Sequence, residues 1–524
     1  MEIKEIDASD SPFVTALTLY KEYEELKPIV ISGVKQKHIA GANLFSIIFS
    51  SPVTESVRYT SSNTSFGLSL TNAGFDGIVL VGHARKLSYL EIDNGEVKLN
   101  LCEQLRSSSP YSFSQIVSNL NSYDVLAIGE AGEKKVALAS LYYNGEVDLG
   151  YLGLGAVFGE ANLKGVVLKA NTEVAVDEKL EKKCEKAFHT SIKLRHLKLY
   201  GNRYFLQYGY RFGFLPLSNY KYRRDPRVLF LTGRVHNDDK RVKLGNTCAG
   251  CRINCCERTE SNVLLPRATE IMALGLNLGF FDLEKVLALT VAAREEGLSC
   301  VELGSLLAYL RTVSTSDYKL PNLKDASVEE MVRVIHLIGE KRGIGESCSL
   351  GLKAFPDAIQ MSDGTAILCD LRGAELQSVF YSLGEQILCF PDLFYGLSYG
   401  ENSKSKGSLA YYTELLAHLS LSSSIPPEVV GALIFKRFPI RYLARTRFGV
   451  RILIKCLGKE RLKELNESIT LYRELAGPLA TIPEHFIKDP ISNMDDDKTV
   501  AYNAIMFNYD VEVSRIRQLL SKLK

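Results

Sequence analysis

The chain has 524 residues, 46% of them hydrophobic and 24% charged, with a formal net charge of +2. These proportions suit a globular protein of about three domains at roughly 150 residues each. They give no reason to expect nucleic acid or a membrane as partner, and no run reaches the ~18 apolar residues of a spanning helix. Eleven cysteines in so long a chain are not a disulfide framework and fit buried or metal-bound thiols in a reducing cytoplasm.

The first ten residues, MEIKEIDASD, are polar and acidic and do not read as a signal peptide. From residue 44 to about 170 the pattern is that of strands. Short apolar runs at Gly77–Val81, Leu87–Ile92 and Val97–Leu101 are split by turn signals, among them the hairpin dipeptide Asn94-Gly95. Val125–Ile128 and Lys135–Tyr143 read as two more strands, joined by a loop with Gly129, Gly132 and Glu133. A glycine-rich segment follows, Gly150 to Gly159, leading into NLKGVVLKA.

Beyond about residue 174 the periodicity turns helical. Residues 178–190 are charged and amphipathic. Residues 193–224 interleave basic and aromatic side chains, as a stacking surface for single strands would, and as a partly buried connector also would. Asp282 is placed to cap a helix through Glu296, and Ser327 with Glu330 forms a capping box for a helix through Lys341. Helices are predicted over 408–421 and 458–472, with loops at 401–407 and 420–424. The eight histidines form no His-x2-His or His-x3-His pair, so single ones such as His336 read as core or rim residues. Cys300, Cys348 and Cys369 read as structural. There is no G-x4-G-K-[ST] phosphate loop.

The most informative segment is NTCAGCRINCCER, which spaces Cys248, Cys251 and Cys255 as C-x2-C-x3-C. A tight turn so built aims three soft thiolates at one centre, the chemistry of an iron–sulfur cluster or zinc. A zinc ribbon needs a second C-x2-C some 15–20 residues on, and none is present, so a cluster is favoured over zinc. The bland alternative is three small core residues.

Several stretches, in order along the chain, resemble the aldehyde:ferredoxin oxidoreductase family. SSPVTESVRYTSSNTSFGLSLTNAGFDGIVLVGHARKLSYLEI and VLAIGEAGEKKVALASLYYNGEVDLGYLGLGAVFGEANLKGVVLKA resemble its first domain. CAGCRINCC resembles its C-x2-C-x3-C-G turn, ALGLNLGFFDLEKVLAL its A-L-G-A-N-L-G segment, CDLRGAE its Y-D-P-R-G, and LAGPLATIPEHFIKDP its closing segment. The resemblance implies an α+β fold: an N-terminal β-rich domain of two packed sheets over 1–173, then two mainly α-helical domains over 174–345 and 346–524. It implies a 4Fe-4S cluster on Cys248, Cys251 and Cys255 beside a tungsten or molybdenum bis-pterin. Gly150, Gly153, Gly155, Asp370, Arg372 and Gly373 stand where the family binds that cofactor. The family reaction takes an aldehyde to a carboxylic acid and passes electrons to ferredoxin. The implied partners are ferredoxin or another redox protein, and a second copy or an intact relative; residues 193–224 then read as a connector with a basic face for an acidic partner.

The chain also departs from the family pattern. Leu44 replaces a basic residue that links cluster and pterin. Ser61–Thr64 replaces an asparagine–glycine turn, and G-R-G-G has become Gly150-Tyr151-Leu152-Gly153. The first acid of E-G-P-E-Y-E-S is lost in Leu264–Glu270, the aspartate of D-T-I-S-T-G is lost at Ser299, and a histidine is replaced by Phe390. The fourth cluster cysteine is missing, with Ser422, Ser423 and Ser424 in its region; Cys256, Cys389, Cys456, a serine oxygen, water or an open iron remain. These losses raise a second functional reading: a divergent paralogue without the pterin-metal chemistry, serving as an electron-transfer or structural partner subunit.

Overall fold

The computed structural model describes residues 11–34, 41–118, 123–150, 152–169, 177–212, 215–218, 222, 224–233, 242–245, 247–312, 323–355, 415–427, 429–430, 433 and 457–476. Two β-sheets make the N-terminal part. The first has four antiparallel strands, β1 (Ile29–Ser32), β2 (Phe45–Ser50), β3 (Val57–Ser62) and β4 (Gly77–Leu80), in the order β3-β2-β1-β4. The second has six, β5 (Ser88–Asp93), β6 (Glu96–Leu101), β7 (Asp124–Ala127), β8 (Tyr142–Tyr143), β9 (Val147–Asp148) and β10 (Leu163–Lys169), in the order β6-β5-β10-β7-β8-β9. Only the β10–β5 pair in it is parallel. A third, two-stranded ribbon pairs β11 (Val242–Gly245) with β12 (Cys256–Thr259).

Side chains alternate across a strand, and here both faces of the first sheet are covered. Ile29, Ile31, Phe45, Ile47 and Phe49 meet Leu90, Ile92, Leu126, Val166 and Leu168 of the second sheet. The intervening Val30 and Ile48 meet Phe13, Leu17 and Tyr20 of the helix Pro12–Glu22 and Tyr472 of the helix Lys459–Ala476. That double burial is why apolar residues stand at consecutive positions in these strands, Ile29-Val30-Ile31 in β1 and Ile47-Ile48-Phe49 in β2. The β5–β6 hairpin turns at Asn94 and Gly95, whose φ values of 47° and 90° are the left-handed geometry this dipeptide favours.

The expected strand Lys135–Tyr143 forms only at its end, as β8. Lys135 takes a φ of 56° and ends the short helix Glu130–Glu133. The backbone then turns outward: Ala137 N–H donates to Ser349 O, and Ser140 N–H to Gly297 O. The ladder is thus exchanged for bonds to the helical part of the molecule. Helix starts follow the sequence closely. Asp282 caps Leu283–Glu296, and the Ser327–Glu330 capping box opens Val328–Gly339, which stops two residues before Lys341, where φ is 49°. The helix predicted over 408–421 is described from 415 and runs to 423, so the chain leaves it at Ser424, whose φ is 55°. Among the described residues no helix is long and apolar enough to cross a membrane.

His418 sits fully buried where the N-terminal and C-terminal helices meet the first sheet, its ring 5.2 Å from Phe13 and 6.1 Å from Tyr472. Its Nδ1 pairs with Ser468 Oγ at 2.8 Å, and its Nε2 has no hydrogen-bond partner among the described residues. Burial, with the Arg473 charge adding to it, lowers the imidazole to about 3. The unfolded chain binds that proton below pH ~6.5 and the folded chain does not until about pH 3. Stability from this residue is therefore complete above ~6.5 and falls at about 1.4 kcal/mol per unit as pH drops through that window. We expect His418→Phe to lack this component. Urea unfolding at pH 7 and pH 5 should show wild type losing about 2 kcal/mol more than the variant; equal losses would mean the ring is reachable by water.

Candidate functional site: a cysteine-lined cavity

The cysteine turn is the loop of the β11–β12 ribbon, in which Gly245 pairs with Cys256. Cys251 N–H donates to Cys248 O at 3.2 Å, and left-handed residues at Gly250 (φ 65°) and Asn254 (φ 53°) reverse the chain twice. Only glycine takes the first of these without strain. Cys248, Cys251, Cys255 and Cys256 all line one cavity of ≈ 210 Å³. The sulfurs are arranged as two hydrogen-bonded pairs, Cys248 with Cys251 and Cys255 with Cys256. The hydrogen bond within each pair holds one thiol, Cys251 or Cys256, below its usual range and pushes its partner up.

Segments from far away in sequence hold this turn. Asn43 Nδ2 donates to Ala249 O at 2.9 Å, and Ala249 N–H donates to Ser65 Oγ at 2.8 Å. Asn63 ties the holder together, accepting from Asn43 N–H and donating to Gly41 O, both at 2.9 Å. Gly41 has φ +80°, and a Cβ there would stand 2.5 Å from Cys251 Cα. On the other side, Asn202 N–H donates to Cys255 O at 2.8 Å, and Asn202 Oδ1 accepts from Ala268 N–H at 2.8 Å. Arg252 reaches Glu181 and, at 2.7 Å, Glu185 of the helix Glu178–Thr190. Next to Cys256, the Glu257 carboxylate is buried against Arg203, with Arg203 Nε donating at 2.9 Å.

The cavity wall also carries charge. Arg267 lines it, and behind Arg267 lie Glu270, Arg294 and Asp148. Burial pushes the Glu270 carboxyl up, but the charges of Arg294 and Arg267 outweigh it and hold the group below its usual range. Asp148 is raised to about 6 by burial, opposed by the Ser140 hydroxyl and Cys300 N–H. One polar group that faces this region lacks a hydrogen-bond partner among the described residues, the hydroxyl of buried Thr64, which lines the cavity; Arg267 Nε, also without a hydrogen bond, stands 3.9 Å from Glu270.

Among the described residues no three His, Cys, Asp or Glu side chains meet at a point, as one bound ion would require. The expectation that Cys248, Cys251 and Cys255 converge on a point is thus not the geometry found; four thiols surround a space instead. A cubane cluster takes one thiolate per iron and so wants sulfurs distributed around it. The donor set and the unpaired Thr64 hydroxyl fit such a cluster, whose sulfides accept hydrogen bonds.

Gly150, Gly153 and Gly155 do not line this cavity. The space a side chain would need at each is filled by protein, 2.5 Å from Leu154 Cδ2, Pro52 Cγ and Ser140 O respectively. Asp370, Arg372 and Gly373 lie outside the described residues, as do Tyr151, Cys369, Cys389, Phe390 and Cys456. Leu44 faces away from the cysteines into the apolar cluster of Phe13 and Leu17, and its N–H donates to Ser424 O at 3.2 Å. The serine loop does not line the cavity; Pro426 and Val429, just beyond it, do.

Two outcomes test how the turn is held. Arg203→Leu strands the Glu257 carboxylate in the interior, and should cost about 3–5 kcal/mol in chemical denaturation. Gly41→Ala should cost about 1–3 kcal/mol through backbone strain, and more if Cys251 cannot move. Gly245→Ala is its control, since a Cβ there meets nothing within 4 Å; equal effects at the two glycines would contradict the close approach.

Comparison with known proteins gives consistent matches. The family model for the aldehyde ferredoxin oxidoreductase N-terminal domain matches residues 21–170, and that for domains 2 and 3 matches residues 179–380. The tungsten-containing aldehyde ferredoxin oxidoreductase of Pyrococcus abyssi is 25% identical over 341 residues, covering 59% of this chain and 54% of the relative. The aliphatic sulfonate oxidoreductase, WOR-like subunit, of Pyrococcus furiosus is 25% identical over 385 residues, covering 65% and 59%. The matches thus span little more than half the length of these relatives. Among solved structures, the active site complex BamBC of benzoyl coenzyme A reductase superposes with a TM-score of 0.67 over 98% of this chain and 96% of the other, at 16% identity, a likeness of fold.

Proposed function

The chain belongs to the aldehyde ferredoxin oxidoreductase family, and on that premise we propose that it is an oxidoreductase whose cysteine turn holds an iron–sulfur cluster. The observation that carries this reading is the set of four thiols around one cavity, with the unpaired Thr64 hydroxyl facing it and the Arg267 charge in its wall. A cluster there would supply one-electron transfer. The residues of this chain would bind it through Cys248, Cys251 and Cys255, fix the turn through Asn43, Ser65 and Asn202, and place the Arg267 charge beside the thiolates. Positive charge and hydrogen bonds at cluster sulfurs favour the reduced form.

The finer reading is the family reaction: a tungsten or molybdenum bis-pterin oxidising an aldehyde to an acid, with electrons leaving through the cluster to ferredoxin or another redox protein. The second reading is a divergent paralogue without pterin chemistry that serves as an electron-transfer or structural partner subunit. Leu44 favours it, because a buried leucine stands where the family has a basic link between cluster and pterin, and its side chain is committed to the core around Phe13.

Anaerobic purification followed by metal analysis separates the readings. Iron and acid-labile sulfide near four per chain, with tungsten or molybdenum near one, and reduction of ferredoxin by an aldehyde are expected for the oxidoreductase. Iron and sulfide alone are expected for the electron-carrying subunit. No iron, with all thiols titrating free, would refute the cluster and with it both electron-carrying readings, leaving the structural partner subunit. Cys251→Ser should bleach the visible thiolate–iron absorption.

A further inference from the structure

We propose that Cys256 is the fourth thiolate of the cluster, so that one segment, Cys248-x2-Cys251-x3-Cys255-Cys256, supplies the whole ligand set. This rests on the cluster reading above and adds to it the ligand that the missing distant cysteine leaves open.

Four observations carry it. Cys256 lines the same cavity as the other three. The Thr247 hydroxyl lies 3.8 Å from Cys248 Sγ and 3.4 Å from Cys256 Sγ, so one small group spans the two ends of the ligand set. Neighbouring cysteines ordinarily face opposite ways along an extended chain, but here the Cys255 and Cys256 sulfurs lie within hydrogen-bond reach of each other. Both sulfurs therefore reach one space. Finally, the residue opposite Cys256 is Gly245, where a side chain would have met nothing within 4 Å, so the thiol has room.

The other described candidates are poorly placed. Ser422–Ser424 do not line the cavity, and the apolar Pro426 and Val429 close that side of it. The orphan Thr64 hydroxyl, buried and facing the same space, marks the place where an acceptor belongs. No covalent change is involved beyond exchange of the Cys256 proton for an iron–sulfur bond.

The test is reconstitution of the full chain with ferrous iron and sulfide under anaerobic conditions, read by iron-to-sulfide ratio and by electron paramagnetic resonance, in wild type and in Cys256→Ser, Cys256→Ala, Cys389→Ser and Cys456→Ser. The expected result is four irons in wild type, and about three in the Cys256 variants, with the signal of an oxidised three-iron cluster. Added 2-mercaptoethanol should return the fourth iron to Cys256→Ala by supplying the lost thiolate. A three-iron signal in Cys389→Ser or Cys456→Ser overturns the assignment, as do four irons with unchanged spectra in all variants. Should the Cys256 variants hold no cluster, unchanged four-iron signals in both Cys389→Ser and Cys456→Ser still support it. Failure of wild type itself to bind iron refutes the cluster reading and not the ligand assignment alone.

Discussion

Arg203 and Glu257 lie buried side by side, joined by two hydrogen bonds, and a paired charge in such a place cannot shift without stranding its partner. Glu257 directly follows Cys256, and Arg203 directly follows Asn202, which grips Cys255 through its backbone N–H. The pair thus pins the end of the cysteine turn to the end of the helix Ile192–Tyr200. Gly201 belongs to the same device. A Cβ there would stand 2.6 Å from Glu257 Cδ, and its φ of +69° suits glycine.

The opposite side of the turn is held by weaker, neutral bonds. Asn43, Asn63 and Ser65 contribute hydrogen bonds worth about 1 kcal/mol each. Their value lies in direction. They come from the segments just before β2 and just after β3, so the first sheet sets where Ala249 lies and, through it, where Cys248 and Cys251 point. The cavity is therefore framed by a rigid sheet on one side and a buried ion pair on the other, with its thiols between.

Much of the fold was legible in local sequence. Asn94-Gly95, Asp282 and the Ser327–Glu330 box each mark their own turn or cap, because the signal and its structural consequence lie within four residues. The three cysteines were legible by spacing. The strand over Lys135–Tyr143 was misread because Ala137 and Ser140 spend their backbone bonds on Ser349 and Gly297, remote partners that alternation cannot reveal. The supporting residues Asn43, Ser65, Thr247 and Asn202 were missed for the same reason, while Asn63 and Arg267 lie in segments that the family pattern had marked, Ser61–Thr64 and Leu264–Glu270. An asparagine that holds a loop two hundred positions away looks, in a single sequence, like any turn asparagine. Leu44 was read from the family pattern as a missing cofactor contact, and its burial against Phe13 shows what the position does instead.

The contact of Gly41 and Asn43 with residues 249–251 has a consequence for the order of events at the ribosome. At about 5–20 residues per second, the cysteine loop is synthesised roughly 10–40 s after the segment that cradles it. Through that interval the strands β2 to β10 are all made, and the two sheets can close on each other while the cradle has nothing to grip. A contact of this sequence separation is among the slowest to form. The cysteines consequently meet their enclosure late, and access to the thiols narrows further only once Pro426 and Val429, made later still, complete the wall.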